Sequence, residues 1–345
     1  MAKNDSKTKA FSTNTKKSKK SVKNKKRVRR KVVVSIFAII ALILVVFAAL
    51  IIAKIIEKAN DSSITPNTPT NENITYIPRD AGNVKMGNLL LINDAYTYSL
   101  PSDLSDMINI SYDYRKNEVN KDIIKIGNTH TYALTYDSIC LTQETLDAFS
   151  KMIFDYCNSI ETSETNKNSV SNLEIAWGGY SESTREEYEH DITSYGKDYY
   201  DHALGTTVTL KVNSPSTVIT ESILKTQFTW IYENAHKSGF IIRSPEACKN
   251  HLSYESNKRV HLRYIGVEHA TYIFNNNICF EEYLELIRIN YTINNPLVIN
   301  TANGKTYNVY YVAYSGNPTS VPVTKDSNYV ISGDNMNGFI VSVEK

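Results

Sequence analysis

A run of 22 uncharged residues, Val32 to Ala53, contains neither Pro nor Gly and constrains this chain more than any other feature. As a helix it spans about 33 Å at about 1.5 Å per residue, enough to cross a bilayer core of about 30 Å. A cleaved leader would carry a shorter apolar region followed by small residues. Here the run continues into Ile51-Ile52-Ala53-Lys54-Ile55-Ile56, so residues 32–56 are expected to be an uncleaved anchor.

Charge sets the orientation. Residues 1–31 hold 14 of the 38 Lys and Arg residues but only one acid, Asp5. The tail is therefore +13 and the remainder −11, a split hidden by the overall +2. The dense basic run Lys23 to Lys31 precedes the apolar segment, which places the N-terminus in the cytoplasm and the rest outside. A Lys/Ser/Asn-rich tail with almost no apolar residues is disordered, and beside a membrane it acts as a topology signal and a contact for anionic lipid. No nucleic-acid partner is expected. Residues 57–75 are polar, with Pro66 and Pro69, and read as a linker.

The 270 residues from Tyr76 onward read as α+β. Leu89 to Ile92 and Tyr132 to Leu134 are strand-like pieces in a β-rich segment, 76–139. Thr142 can cap a helix running to Tyr156, with Leu146, Phe149, Ile153 and Tyr156 on one face. Leu173 to Trp177 and Thr206 to Val212 read as strands, Thr220 to Lys237 as a helix stopped by Gly239, and Glu281 to Ile287 as another helix. Segment 289–345 is β-rich, with a turn at Asn303-Gly304. Cys140, Cys157, Cys248 and Cys279 form no CxxC pair, so a cysteine zinc site is not expected. One or two disulfides, or ordinary burial of the thiols, fit equally.

Trp230 to Leu284 carries a recognisable order of residues. Trp230, Asn234, Ala235, Gly239, Phe240, Ile241, Arg243 and Pro245 come first. His261, Arg263, Tyr264, Gly266, His269 and Ala270 follow, then Glu281, Glu282, Tyr283 and Leu284. This frame resembles the VanY-type D-alanyl-D-alanine carboxypeptidases, zinc peptidases related in fold to hedgehog and lysostaphin-like enzymes. Weaker likeness upstream, at Trp177 to Ser181 and Asp201 to Thr209, extends the resemblance over 140–288.

The resemblance implies a zinc held by two His and one Asp, with a Glu as base. Zinc held by three protein ligands keeps a position for the water it acidifies. Carried over, His202 and His261 are the two His positions, but Thr209 stands at the Asp and Lys258 at the Glu. Glu255 is a candidate substitute base, and Asp201 adjoins His202. Tyr180, Ser181 and Arg263 are expected at the substrate cleft, Ser181 standing where the family has Arg and Arg263 keeping the bracing role that the resemblance implies. A lysine at the position of the base adds positive charge beside the metal. Zinc is therefore expected to be absent or weakly held. His269 reads as structural, and His130, His190, His236 and His251 as surface residues.

The expected protein is a cell-membrane-anchored pseudopeptidase of a Gram-positive envelope that binds a peptidoglycan stem peptide or an envelope protein. An active zinc D,D-carboxypeptidase, or an assembly protein working through its β-rich tail, are the alternatives.

Overall fold

The computed structural model describes residues 73–110, 123–126, 129–136, 138–161, 173–186, 201–212, 217–243, 248 and 259–345. The basic tail, the apolar span 32–56, most of the linker, Glu255 and Lys258 lie outside the described residues. Among the described residues no helix is long and apolar enough to cross a membrane.

In chain order the first elements are β1 (Ile74–Arg79), β2 (Met107–Asn109), β3 (Ile123–Ile126), β4 (Thr129–Leu134), β5 (Cys140–Thr142), α1 (Gln143–Glu161) and β6 (Leu173–Trp177). Next come β7 (Thr207–Val212), β8 (Thr217–Val218), α2 (Glu221–Gln227), α3 (Thr229–Asn234), β9 (Phe240–Arg243) and β10 (His261–Tyr264). The last are α4 (Val267–Asn276), α5 (Phe280–Asn290), β11 (Leu297–Asn300), β12 (Thr306–Ala313), β13 (Thr319–Thr324), β14 (Tyr329–Gly333) and β15 (Gly338–Glu344). The fold is α+β.

Two larger sheets organise these elements. The central sheet runs β3-β4-β6-β7-β10-β9, with β8 beside β7. α1 presents Leu146, Phe149 and Ile153, all fully buried, to a core shared with Leu173, Ile175, Val208 and Leu210. Each such side chain contributes about 1.5–3 kcal/mol by leaving water. The Thr142 hydroxyl accepts from Thr145 N at 3.4 Å and so caps α1, as its position suggested.

The second sheet runs β11-β12-β15-β14. Alternation along β15 serves two cores. Ile340 faces α4 and α5, while Phe339, Val341 and Val343 join Val321 and Val323 of β13. β13 pairs antiparallel with β1, so the first described strand is stitched to the last quarter of the chain. The 76–139 segment is thus divided: β1 joins the C-terminal strands, and β3 and β4 join the central sheet. Residues from Glu72 to Lys345 form one compact unit.

Three expectations are corrected. Leu89 to Ile92 is not a strand: all four side chains are buried, and the backbone is satisfied from elsewhere. Ser332 Oγ accepts from Leu89 N at 3.0 Å, and Leu91 O accepts from Asn335 Nδ2 at 2.8 Å. The helix expected over Thr220 to Lys237 breaks at Phe228, whose φ −121°, ψ 41° is not helical. Thr226 Oγ1 donates to Ser222 O at 2.8 Å and Thr229 Oγ1 to Lys225 O at 2.9 Å, a back-bonding that competes with the helical ladder. Finally, His236 is buried rather than at the surface, stacked on Phe274 at 3.9 Å.

Cys248 and Cys279 form a disulfide, whereas Cys140 and Cys157 are buried thiols. The bridge fastens the start of α5 to the segment before β10.

Candidate functional site

The site is built where β7 and β10 run side by side. Their antiparallel register sets His261 directly opposite Thr209. His202 lies on a helical turn, 201–204, that leads into β7 through Gly205. Gly205 has φ +65°, and a Cβ there would fall 2.4 Å from Met107 Sδ, so the turn requires glycine.

These placements bring His202, Thr209 and His261 into contact. Thr209 Oγ1 lies 3.0 Å from His202 Nε2 and 2.8 Å from His261 Nδ1. The two rings are edge-on with centroids 5.1 Å apart, and all three side chains are buried. A hydroxyl carries one proton, so Thr209 donates to one imidazole and accepts N–H from the other. The ring that accepts the hydroxyl proton must be neutral. Burial, and then the positive neighbours His202, Arg259 and Arg243, push His261 well below the usual histidine range. His261 Nε2 is buried with no hydrogen-bond partner among the described residues.

This donor set does not fit the zinc of the resembling enzymes. A neutral alcohol occupies the point between the two nitrogens, where the family places a carboxylate ligand. The nearest alternative, Asp201, is fully engaged: Oδ2 accepts from Arg243 Nε at 2.7 Å and Oδ1 from Arg263 Nη1 at 2.8 Å. No group of three His, Cys, Asp or Glu residues among the described residues could hold a metal ion.

Arg263, expected to brace the site beside the substrate cleft, is fully enclosed. Besides Asp201 it donates to Leu90 O at 2.6 Å and Asn88 O at 3.2 Å, and it lies over the Phe280 ring at 4.7 Å. Its role is to brace. Burial pushes it down to about 10, with Asp201 opposing. For Arg243 burial also disfavours the charge, but Glu281 and Asp201 outweigh it and hold the group above its ordinary value. Glu281 Oε1 accepts from Arg243 Nη2 at 2.7 Å and completes a buried chain of alternating charge.

Tyr180 is buried beside Ala203, Tyr98, Leu100 and Trp177. Ser181 is half-buried and caps the turn Glu182–Thr184, its N donating to Thr184 Oγ1 at 2.9 Å. His269, read as structural, is buried, with Nδ1 2.6 Å from Tyr283 Oη and Nε2 2.9 Å from Ser342 Oγ. The Asp201–Arg243–Glu281 chain was not anticipated as a unit; its members are Asp201 beside His202 and two positions of the family frame.

Comparison with known proteins identifies relatives in sequence and in fold. The chain is 30% identical over 281 residues to a D-alanyl-D-alanine carboxypeptidase of Enterococcus faecium, covering 80% of this chain and 82% of that protein. A 57-residue stretch, 16% of this chain and 21% of the relative, is 42% identical to a D-alanyl-D-alanine carboxypeptidase of Enterococcus faecalis. In fold the chain is similar to the vancomycin-resistance D,D-dipeptidase VanXYg, solved with a D-Ala-D-Ala phosphinate analogue. The TM-score is 0.57 at 19% identity, over 79% of this chain and 99% of that one. No protein-family model matches the sequence. With a relative at 30% identity along four-fifths of both chains and the fold shared, the chain belongs to the VanY-type D-alanyl-D-alanine carboxypeptidase family.

Proposed function

We propose that this protein is a membrane-anchored pseudopeptidase: a carboxypeptidase fold that binds a peptidoglycan stem peptide without hydrolysing it. The observation that carries the reading is the Thr209 hydroxyl bonded to both His202 and His261. Hydrolysis in this family relies on a metal-bound water, and the hydroxyl satisfies the two imidazoles in the metal's stead. Recognition needs shape and hydrogen bonds, which do not depend on a metal. Peptidoglycan is favoured as the ligand because the similar proteins are D-alanyl-D-alanine carboxypeptidases. Anchoring rests on the apolar run Val32 to Ala53 behind a +13 tail, with the folded part outside the cell.

The test uses the full chain in detergent, equilibrated with a modest zinc excess and desalted. The expected result is no retained zinc, no D-alanine released from a pentapeptide ending in D-Ala-D-Ala, and saturable binding of that peptide in the presence of chelator. Near one zinc per chain, with D-alanine release abolished by His202→Ala, would overturn the reading. Thr209→Asp combined with Lys258→Glu is expected to recover zinc binding.

A further inference from the structure

Alternation sorts the side chains of the central sheet between its two faces. Val208 and Leu210 of β7, with Val260 and Leu262 at the start of β10, enter the core under α1. Thr209, Arg259 and His261 therefore share the other face. Trp177, at the end of β6, joins them through an irregularity. Ile175 lies opposite Leu210 and Trp177 opposite Thr209, two steps along β6 against one along β7. That bulge turns the indole from the core face to the histidine face, where it packs beside Tyr180 and Ala203.

Arg259 completes this row. Its Cζ lies 4.8 Å from the centroid of the Trp177 ring. A guanidinium over an indole is held by the ring's negative face, while its N–H donors point outward in its own plane. That fork matches the two oxygens of a carboxylate. Arg259 and Trp177 are both half-buried, so the pair stands at the border between the buried histidines and solvent.

Two further observations narrow what arrives there. His261 Nδ1 is taken by Thr209, while Nε2 is buried with no hydrogen-bond partner among the described residues. That nitrogen is where a polar group of a ligand gains most. The charge around it is positive: Arg259 and Arg243 both act on His261, and Asp201 is already shared between Arg243 and Arg263. Such surroundings favour an anion. We propose that Arg259 determines specificity at this centre: its guanidinium, set over Trp177, holds the terminal carboxylate of the bound peptide. This assignment rests on the stem-peptide reading above and adds which end of the ligand is read. A peptide ending in D-Ala-D-Ala offers one charged group at that end, its carboxylate, and its methyl side chains offer no polar handle.

The experiment titrates the full chain in detergent, with chelator present, with the pentapeptide ending in D-Ala-D-Ala and with its C-terminal amide. The acid is expected to bind about tenfold or more tighter than the amide, the difference made by a charge-assisted contact. In Arg259→Gln the two peptides should bind alike. Trp177→Leu, which removes the ring under the guanidinium, should lower the acid-to-amide ratio as well and serves if the first variant does not fold. A merely structural role for Arg259 would weaken both peptides together and leave their ratio unchanged, which would overturn the assignment. Equal binding of acid and amide by the parent, or a preference that survives in folded Arg259→Gln, would also overturn it while the stem-peptide reading stands. Saturable binding of neither peptide would overturn that reading and this assignment with it.

Discussion

Asp201→Asn isolates the buried chain of charge that supports the histidine turn. Asp201 holds two guanidiniums at 2.7 and 2.8 Å, with side-chain exposures of 5% for Arg243 and 0% for Arg263. An amide at this position has one oxygen and one NH2, so whichever way it turns, donor faces donor at one arginine. Arg243 keeps Glu281, whereas Arg263 keeps only carbonyl oxygens and the Phe280 face. Breaking a buried ion pair from one side costs about 3–5 kcal/mol. At about 2–4 °C per kcal/mol for a unit of this size, the melting temperature should fall by about 6–20 °C. The assay is thermal unfolding of the full chain followed by circular dichroism. Adding Arg263→Met removes the stranded charge, so the double variant should be more stable than the two single losses predict, by at least about 1 kcal/mol. A single variant melting within about 2 °C of the parent, or strict additivity in the pair, would refute the reasoning.

Thr209→Val removes the hydroxyl between two buried imidazoles and should cost about 2–4 kcal/mol, while Thr209→Ser, which keeps it, should cost less than about 1 kcal/mol; urea unfolding separates them. His236 provides a pH test. Burial lowers it to about 4 in the folded chain, against about 6.5 unfolded. The unfolded state therefore takes up the proton first, so this stability is present above pH 6.5 and lost as pH falls toward 4. Between pH 6 and pH 5 the parent should lose up to about 1 kcal/mol more than His236→Phe, allowing for partial solvent screening; equal losses would remove His236 from the account.

Local pattern carried much of the fold. The β-branched alternation in Thr206 to Val212 and the apolar face of the helix after Thr142 have direct local causes, and both elements are found. Leu89 to Ile92 misled because a fully buried run looks the same whether a strand or side-chain donors satisfy its backbone. The break at Phe228 depends on hydroxyls choosing carbonyls within the helix, which composition does not reveal. The helix Val267–Asn276 escaped notice because its Thr, Tyr, Ile and Phe residues have weak helix propensity. At the site, the family resemblance singled out His202, Thr209 and His261 as positions of one centre and Arg263 as a brace, whereas nothing local in the sequence marks Arg263 as fully enclosed.

The pairing of β1 with β13 also has a mechanical consequence. β1 is the first described strand, and its sheet partner among the described residues is β13, in register from Ile74↔Thr324 to Arg79↔Thr319. Tension arriving along the upstream chain would enter through these six rungs and pass to the C-terminal β-layer. The histidine-bearing sheet would lie off that line of force, so a pull on β1 would spare its geometry while loading the C-terminal strands.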